Sequence, residues 1–167
     1  KQSYENIEFI IVDDASNDNT STTIKRYMDS RIKVIRNSDQ LGLTSSLNLA
    51  LQQAKGEFVA RQDADDVSHP ERLYKQVSFL DLHSGTVLVG TDAELISHTG
   101  KQLSVVGVSS DPKLRLHLEN TIIHGSVMFR RKQVIDLGGY NEFFYYCQDH
   151  ELWIRLSEIH KLHNLPE

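Results

Sequence analysis

An acidic segment at residues 61–66 constrains this chain more than any other feature of its sequence. It directly follows a short apolar run, residues 58–60, which predicts a buried strand. Three carboxylates, Asp63, Asp65 and Asp66, lie within four residues at the end of that strand. Clustered carboxylates repel one another unless a cation or a proton relieves them. The segment therefore predicts either a divalent metal site that carries a phosphorylated ligand or an acidic turn that leads into a helix.

The spacing of apolar residues predicts alternating strands and helices through the first half of the chain and a hairpin later. Strands are predicted at residues 7–12, 32–35, 57–60, 86–89, 93–96, 103–106 and 126–129. Helices are predicted at residues 18–28, 43–54, 70–80, 133–137 and 148–160, with no element after the last one. For the third helix, Ser68 and Glu71 have capping-box spacing. This order indicates an α/β architecture with a mixed, mostly parallel sheet.

Two acidic clusters fall at predicted strand ends. Asp14 closes the first strand, and Asp63 belongs to the segment that follows the third. In α/β sheets ligands bind at the carboxyl ends of the strands, so two clusters there favour a binding site over two unrelated turns. We expect Asp14 to lie near Asp63, with Arg61 close enough to interact with one of them.

Composition excludes several classes of function. The formal net charge is −5, with 18 basic and 23 acidic residues and no basic stripe, so nucleic acid is not an expected partner. There is no run of 18 apolar residues that could span a membrane. The single cysteine, Cys147, rules out an intrachain disulfide and is compatible with a reducing compartment.

Three motifs occur in order along the chain. They are Ile-Ile-Val-Asp-Asp-Ala-Ser at 10–16, Gly-Glu-Phe-Val-Ala-Arg-Gln-Asp-Ala-Asp-Asp at 56–66, and Gln-Asp-His-Glu-Leu-Trp-Ile-Arg at 148–155. Together they resemble the family 2 glycosyltransferases, which have the GT-A fold, and the resemblance spans essentially the whole chain. It implies one Rossmann-like, three-layer α/β/α catalytic domain over residues 1–167. We expect that domain to be truncated at both ends, because the family's first strand and C-terminal region have no counterpart here.

The resemblance also implies a reaction. The family uses a nucleotide-diphosphate sugar as donor, depends on Mn²⁺ or Mg²⁺, and inverts the anomeric carbon in a single displacement. The acceptor is a hydroxyl of a polysaccharide, another glycan or a lipid-linked sugar. We expect the cytoplasm as the location, with peripheral association at the inner face of the membrane left open together with the oligomeric state.

The resemblance assigns roles to four carboxylates. Asp63 and Asp65 match the Asp-x-Asp motif, with Asp65 as the principal metal ligand and Asp63 near the ribose or the metal. Asp14 falls where the family contacts the nucleotide base. Asp149 falls where the family keeps its catalytic base, and Glu151, two residues on, is the competing candidate.

Three further residues near these motifs are weighed from their position in the sequence. Arg61 could approach the nucleotide or neutralise the acidic segment. His124 precedes a glycine and a predicted strand, where it could face the donor or be buried with its hydrogen bonds satisfied. Cys147, next to the last motif, is expected to pack rather than to react.

Other functions fit parts of the pattern. A phospho-receiver signalling module also places paired aspartates after its first strand and binds Mg²⁺, but it leaves the cluster at 63–66 and the segment around Asp149 without a role. A nucleotidyltransferase would need a glycine-rich basic phosphate loop, and the sequence contains none. A non-catalytic nucleotide-sugar-binding domain with the same fold remains open.

Overall fold

The computed structural model describes residues 1–166. Within that range the strands are β1 (Phe9–Asp13), β2 (Ile32–Arg36), β3 (Phe58–Ala60), β4 (Thr86–Thr91), β5 (Ala93–Ile96), β6 (Gln102–Val106), β7 (Met128–Arg130) and β8 (Lys161–Leu165). The helices are α1 (Thr20–Ile24), α2 (Leu43–Gln53), α3 (Arg72–Leu82), α4 (Arg131–Asp136) and α5 (Gln148–Ile159). Short 3-10 turns at Pro112–Leu114 and His124–Ser126 lie between β6 and β7.

The strands of residues 1–166 form three sheets. β1 pairs in parallel with β2, and β5 and β6 form an antiparallel hairpin. The largest sheet has the order β3-β7-β4-β8, in which β7 runs antiparallel to both neighbours and β8 runs parallel to β4. The α/β fold with a mixed sheet that the sequence predicts is therefore confirmed, but three of the five strand pairings within residues 1–166 are antiparallel, so the pairing is not mostly parallel as expected.

Apolar side chains cover both faces of the four-stranded sheet. On one face Val77 and Leu80 of α3 pack in a cluster with Val89 of β4. On the other face Trp153 of α5, which is completely buried, packs in a cluster with Leu88 of the same strand. Because successive residues of a strand point to opposite faces, β4 is covered by a helix on each side. This layering fixes the ends of β3, β4 and α5 relative to one another.

Two predicted helix boundaries are wrong. The first helix ends at Ile24 rather than at Met28, whose side chain is 99% exposed. That helix has no buried residue, so packing does not extend it. The third helix begins at Arg72 without a side-chain cap, and the Ser68 hydroxyl donates to Gln62 instead. The predicted capping box is thus replaced by a contact between Ser68 and the acidic segment.

The expectation that no element follows the last helix is also wrong. β8 pairs with β4 and places Leu162 and Asn164 in the interior. The Nδ2 of this buried amide donates to the Ser109 and Thr121 carbonyls at 2.9 and 3.1 Å, whereas its Oδ1 has no hydrogen-bond partner among the described residues. A strand of five residues with an asparagine at a buried position lacks the apolar alternation that sequence patterns detect.

Helix length bears on the membrane question. The longest helix, α5, has 12 residues, whereas a membrane-spanning helix needs about 20 apolar residues. Within residues 1–166, no helix combines the length and the apolar character that crossing a bilayer requires.

Candidate active site

The acidic segment leaves β3 beside the turn that precedes β7. The Arg61 amide donates to the Val127 carbonyl at 3.0 Å, which extends the pairing of β3 with β7 by one residue. The Arg61 guanidinium is buried and forms an ion pair with Asp63. The predicted interaction of Arg61 with one of the strand-end aspartates is therefore confirmed, and its partner is Asp63.

Arg72, the first residue of α3, binds the acidic segment through hydrogen bonds from its buried side chain. Its buried guanidinium donates from Nη2 to the carbonyls of Arg61 and Val127 at 2.7 and 3.1 Å. Nη1 donates to Ser68 Oγ and Gln62 Oε1 at 2.9 and 3.1 Å. Burial, together with the nearby charge of Arg61, lowers the pKa of Arg72 to about 10, so the side chain stays cationic at neutral pH.

Gln76, one turn further along α3, continues this network. Its fully buried Nε2 donates to the Ser126 and Val89 carbonyls at 2.7 and 3.2 Å, and its Oε1 accepts from Arg72 Nε at 3.2 Å. One helix therefore fixes the end of β3, the turn before β7 and the edge of β4. Sequence analysis did not single out Arg72 or Gln76.

Gly125 is where the acidic segment and the turn approach most closely. A Cβ atom at this position would lie 2.6 Å from Asp66 Oδ2, 3.1 Å from Asp63 Oδ2 and 3.6 Å from Arg61 Nη1. Only a glycine leaves room for two carboxylate oxygens at this point. The sequence signal for this site was weak, because one glycine before a strand is common.

His124 lies next to Gly125 and packs among aromatic rings. Its Nε2 is 3.0 Å from the Tyr140 hydroxyl, and its ring meets Trp153 edge-on with centroids 5.8 Å apart. Burial lowers the pKa of His124 to about 4, and the nearby Arg61 charge adds to the effect. The imidazole is therefore neutral at physiological pH and can donate or accept a hydrogen bond without carrying charge.

Asp149 sits in the first turn of α5, and Asn120 Nδ2 donates to its Oδ2 at 2.8 Å. Burial lowers the pKa of Arg61, while the negative charges of Asp66, Asp149 and Asp65 act in the opposite direction. The pKa of this buried guanidinium is thus affected by carboxylates of both the acidic segment and the start of α5. Asp65 and Asp149, which are 84 residues apart in sequence (149 − 65 = 84), therefore both lie close enough to Arg61 for their charges to act on it.

Glu151, the competing candidate for the general base, is paired with Arg155. Its two carboxylate oxygens each accept from Arg155, at 2.7 Å from Nε and 2.7 Å from Nη2. The same guanidinium donates to the Leu137 and Gly139 carbonyls at 2.9 and 2.8 Å. A bidentate pair of this kind holds the Gly138–Gly139 turn, and it leaves Asp149 as the more available carboxylate.

Asp14 has a full set of protein partners. Its Oδ1 accepts from Asn37 Nδ2 and the Leu41 amide at 2.7 and 2.8 Å, and its Oδ2 accepts from the Gly42 amide at 2.8 Å. Burial raises the pKa of Asp14, but these hydrogen bonds outweigh it and hold the pKa below its usual value. Asp14 therefore fixes the loop that starts α2. The nucleotide-base contact stays a prediction, and it would need one of these donors to be exchanged.

A cavity of about 470 Å³ opens beside the cluster. Its lining comprises residues 41–45 at the start of α2, His124, Glu142, and residues 145–149 before and within α5. Cys147 lines it with an exposed side chain and a left-handed backbone (φ 58°), so the expectation that this residue packs in the interior is wrong. The size is that of ordinary small-molecule sites.

The acidic segment offers hard oxygen donors of the kind that Mg²⁺ and Mn²⁺ prefer. Among residues 1–166, no three histidine, cysteine, aspartate or glutamate side chains are arranged to hold a metal ion by themselves. Such ions commonly take one or two carboxylates and complete their shell with substrate phosphates and water. The carboxylates that crowd Gly125 are compatible with that kind of site.

The sequence matches the family model described as Glycosyl transferase family 2 over residues 1–138. Among curated proteins, the chain is 37% identical over 163 residues to the putative glycosyltransferase EpsE of Bacillus subtilis. That match covers 94% of this chain and 58% of the relative. The chain therefore spans a little more than half the length of this relative.

Solved structures share the fold. The structure of S. aureus TarS residues 1–349 in complex with UDP has a TM-score of 0.80 at 20% identity, covering 99% of this chain and 51% of TarS 1–349. The mannosyltransferase PcManGT from Pyrobaculum calidifontis, in complex with GDP-Man and Mn²⁺, has a TM-score of 0.74 at 20% identity, with 99% and 48% coverage. These neighbours are GT-A glycosyltransferases, which agrees with the fold expected from the motifs.

Proposed function

Because the chain belongs to glycosyl transferase family 2, we propose that it transfers a sugar from a nucleotide-diphosphate sugar to a hydroxyl acceptor, with inversion and with a divalent metal. The observation that carries this proposal is the charge cluster around Arg61. The guanidinium pairs with Asp63 and lies close enough to Asp65, Asp66 and Asp149 for their charges to affect it. A donor with anionic phosphates needs a cation, which carboxylates can hold, and an acceptor that must lose a proton needs a carboxylate as its base.

On the donor side, Asp65 and Asp63 would hold Mn²⁺ or Mg²⁺, which would supply positive charge to the leaving diphosphate. The complex of PcManGT with GDP-Man and Mn²⁺ supports this choice of ion. Arg61 is already desolvated beside these carboxylates and can turn toward a phosphate when Asp63 takes a cation. Asp14 and the neutral His124 complete the proposed donor contacts.

On the acceptor side, Asp149 is the proposed general base. Its Oδ1 takes the proton of the acceptor hydroxyl while the acceptor oxygen bonds to the anomeric carbon. The bond from that carbon to the phosphate oxygen breaks, and the electron pair leaves with the nucleoside diphosphate. Asn120 holds Oδ2, so the other oxygen is free to face the cavity.

The proposed acceptor is a sugar hydroxyl of a polysaccharide, another glycan or a lipid-linked saccharide. We place the reaction in the cytoplasm, with contact at the inner membrane face left open. The single cysteine fits a reducing compartment. The family assignment removes the grounds for a phospho-receiver, and a non-catalytic nucleotide-sugar-binding domain is the alternative that the experiment must separate.

The test is nucleotide binding and sugar transfer by the full-length protein across a panel of UDP- and GDP-sugars, with Mn²⁺ and with EDTA. We expect Mn²⁺-dependent binding and turnover that EDTA removes. Asp65→Asn should abolish Mn²⁺-dependent nucleotide binding and leave the melting temperature of the free protein unchanged within about 2 °C, since surface substitutions cost little. The matched control is Asp81→Asn on the exposed face of α3.

Three outcomes discriminate. Binding without transfer to any acceptor or to water indicates the non-catalytic domain. Equal nucleotide binding by Asp65→Asn and the parent protein removes Asp65 from the metal site. Turnover that is insensitive to EDTA overturns the metal dependence and leaves the transferase assignment in place.

A further inference from the structure

The segment between the Gly138–Gly139 turn and α5 exposes four consecutive aromatic side chains. Phe143 is 97% exposed, Tyr146 78%, Tyr145 76% and Phe144 42%. Four adjacent exposed aromatic residues are unusual on a protein surface, and such groups mark binding sites more often than accidental exposure. Residues 140–146 are called the aromatic loop below.

The aromatic loop is fastened to α2 at its beginning. Asn48 of α2 donates from Nδ2 to the Tyr140 carbonyl at 2.8 Å and accepts from the Tyr140 amide at 2.9 Å through Oδ1. The Asn48 side chain thus makes the same pair of hydrogen bonds to the Tyr140 backbone that a neighbouring β-strand would make. Gly139 permits this approach, because a Cβ there would lie 2.7 Å from Asn48 Oδ1.

Two more contacts fasten the rest of the loop to the same helix. Glu142 accepts from Ser45 Oγ and Asn48 Nδ2, each at 3.0 Å, and these bonds hold the pKa of its carboxyl below the usual value. Thr44 Oγ1 donates to the Phe144 carbonyl at 3.2 Å. The exposed rings therefore stand on a backbone that is fixed at three points over five residues.

The fixed loop turns only some of its rings toward the reaction centre. Tyr145 and Tyr146 line the 470 Å³ cavity together with His124 and Asp149, whereas Phe143 and Phe144 do not. The two tyrosine rings meet edge to face with centroids 4.9 Å apart. Tyrosine combines an apolar ring face with a hydroxyl, which suits a ligand that has both apolar C–H faces and hydroxyls.

We propose that Tyr145 and Tyr146 form the platform that binds the ring of the acceptor sugar, so that its hydroxyl reaches Asp149; one tyrosine stacks its face on the sugar and the other, nearly perpendicular to it, contacts the sugar with its edge. The acceptor class is therefore a pyranose, recognised by its ring face. This inference rests on the proposed function and adds to it the residues that bind the acceptor and the helix that positions them.

The position of the cavity favours the acceptor over the donor. None of residues 61–66 lines it, and Gly125 does not line it either, so the cavity is separate from the carboxylates proposed to hold the diphosphate. In a single displacement the incoming hydroxyl and the leaving phosphate lie on opposite faces of the anomeric carbon. His124 and Asp149 are the residues that join the two regions, as an acceptor entering from the cavity requires.

The test separates acceptor transfer from donor hydrolysis in the full-length protein. Tyr145→Ala and Tyr146→Ala should each raise the acceptor KM about tenfold and lower the ratio of transfer to hydrolysis, because a stacked ring is lost. Phe143→Ala is the matched control, since it removes an even more exposed ring of the same loop, and this ring does not line the cavity. Phe143→Ala should leave both rates as in the parent protein.

A binding experiment keeps the inference independent of turnover. Saturation-transfer NMR with methyl β-glucopyranoside, methyl β-galactopyranoside and methyl N-acetyl-β-glucosaminide should show ring protons in contact with the parent protein and lost contact in the double alanine variant. If Tyr145→Ala raised the KM for the donor equally in the transfer reaction and in the hydrolysis reaction, the rings would belong to the donor site and the proposal would be overturned. Unchanged acceptor KM and unchanged NMR contacts would overturn it as well. If the parent protein neither transfers nor hydrolyses any nucleotide sugar but binds the glycosides through these tyrosines, the proposed function fails and the sugar platform stands.

Discussion

Two segments meet at His124 and Asp149, and they are held in opposite ways. The acidic segment, residues 61–66, is fixed from the interior by the buried guanidinium of Arg72 and the buried amide of Gln76. The aromatic loop, residues 140–146, is fixed from the surface by hydroxyl and amide side chains of α2. One segment carries charge on a buried network, and the other carries exposed rings on a partly exposed one.

The difference has an energetic meaning. A buried polar network that is fully satisfied costs several kcal/mol to break, because each orphaned group loses its partner where water cannot replace it. Hydrogen bonds at a partly exposed loop contribute only about 1 kcal/mol each, since water competes for the same groups. The acidic segment is therefore expected to be the more rigid of the two, and the aromatic loop to open locally at a lower cost.

The largest effect is expected from Arg72→Met. The variant removes five hydrogen bonds, two of them to the acidic segment, and leaves the Arg61 carbonyl without its partner on α3, so it should lower the free energy of unfolding by about 3 kcal/mol. Chemical denaturation measures this. Arg31→Met is the control, because Arg31 pairs with Asp29 at the surface and its loss should cost much less than that of Arg72. Equal losses in the two variants would contradict the contrast between a buried and an exposed network.

The next effect concerns the two carboxylates at the start of α5. Asp149→Asn should lower transfer by a factor on the order of 10² and retain donor affinity, because the amide cannot take the acceptor proton. Glu151→Gln removes the bidentate pair with Arg155 and should act chiefly on stability, by about 1 kcal/mol. Single-turnover rates and donor titrations on both variants measure the split. Near-normal transfer by Asp149→Asn would exclude it and bring Glu151 forward.

Sequence patterns located the strand ends because apolar runs followed by aspartates carry two signals at once. β1 ends at Asp13, β3 ends just before Arg61, and Asp149 lies in the first turn of α5, all close to where the sequence predicts them. Periodicity and strand-end chemistry are local, so they survive without knowledge of the tertiary structure.

The supporting residues could not be predicted in the same way. Arg72 and Gln76 occupy positions i and i+4 on the stripe that ends in Leu80, which is buried. A polar pair on the apolar face of a helix indicates a buried hydrogen-bond network. The carbonyl groups that it binds come from distant segments, so the sequence does not identify them. The close approach at Gly125 and the Asn48 bonds to Tyr140 likewise depend on contacts across 59 to 92 residues of sequence (125 − 66 = 59).

The smallest effect is expected from weakening the attachment of the aromatic loop to α2. Asn48→Ala removes both bonds to the Tyr140 backbone, and it should lower the free energy of unfolding by about 1 to 2 kcal/mol, less than Arg72→Met. If Asn48 positions the aromatic loop, the acceptor KM should rise severalfold while the donor KM stays near that of the parent protein. A merely structural role would lower the amount of folded enzyme without changing either KM.

The conservative variant Asn48→Asp separates the two hydrogen bonds between Asn48 and the Tyr140 backbone. Its carboxylate can still accept from the Tyr140 amide, but it cannot donate to the Tyr140 carbonyl and it places a second negative charge beside Glu142. The acceptor KM of Asn48→Asp should therefore lie between those of the parent protein and Asn48→Ala. Steady-state kinetics, with Ser45→Ala as the control that removes one hydrogen bond from Glu142 without adding charge, measures this order. An acceptor KM that is equal in all three variants and the parent protein would show that the rings hold their place without α2.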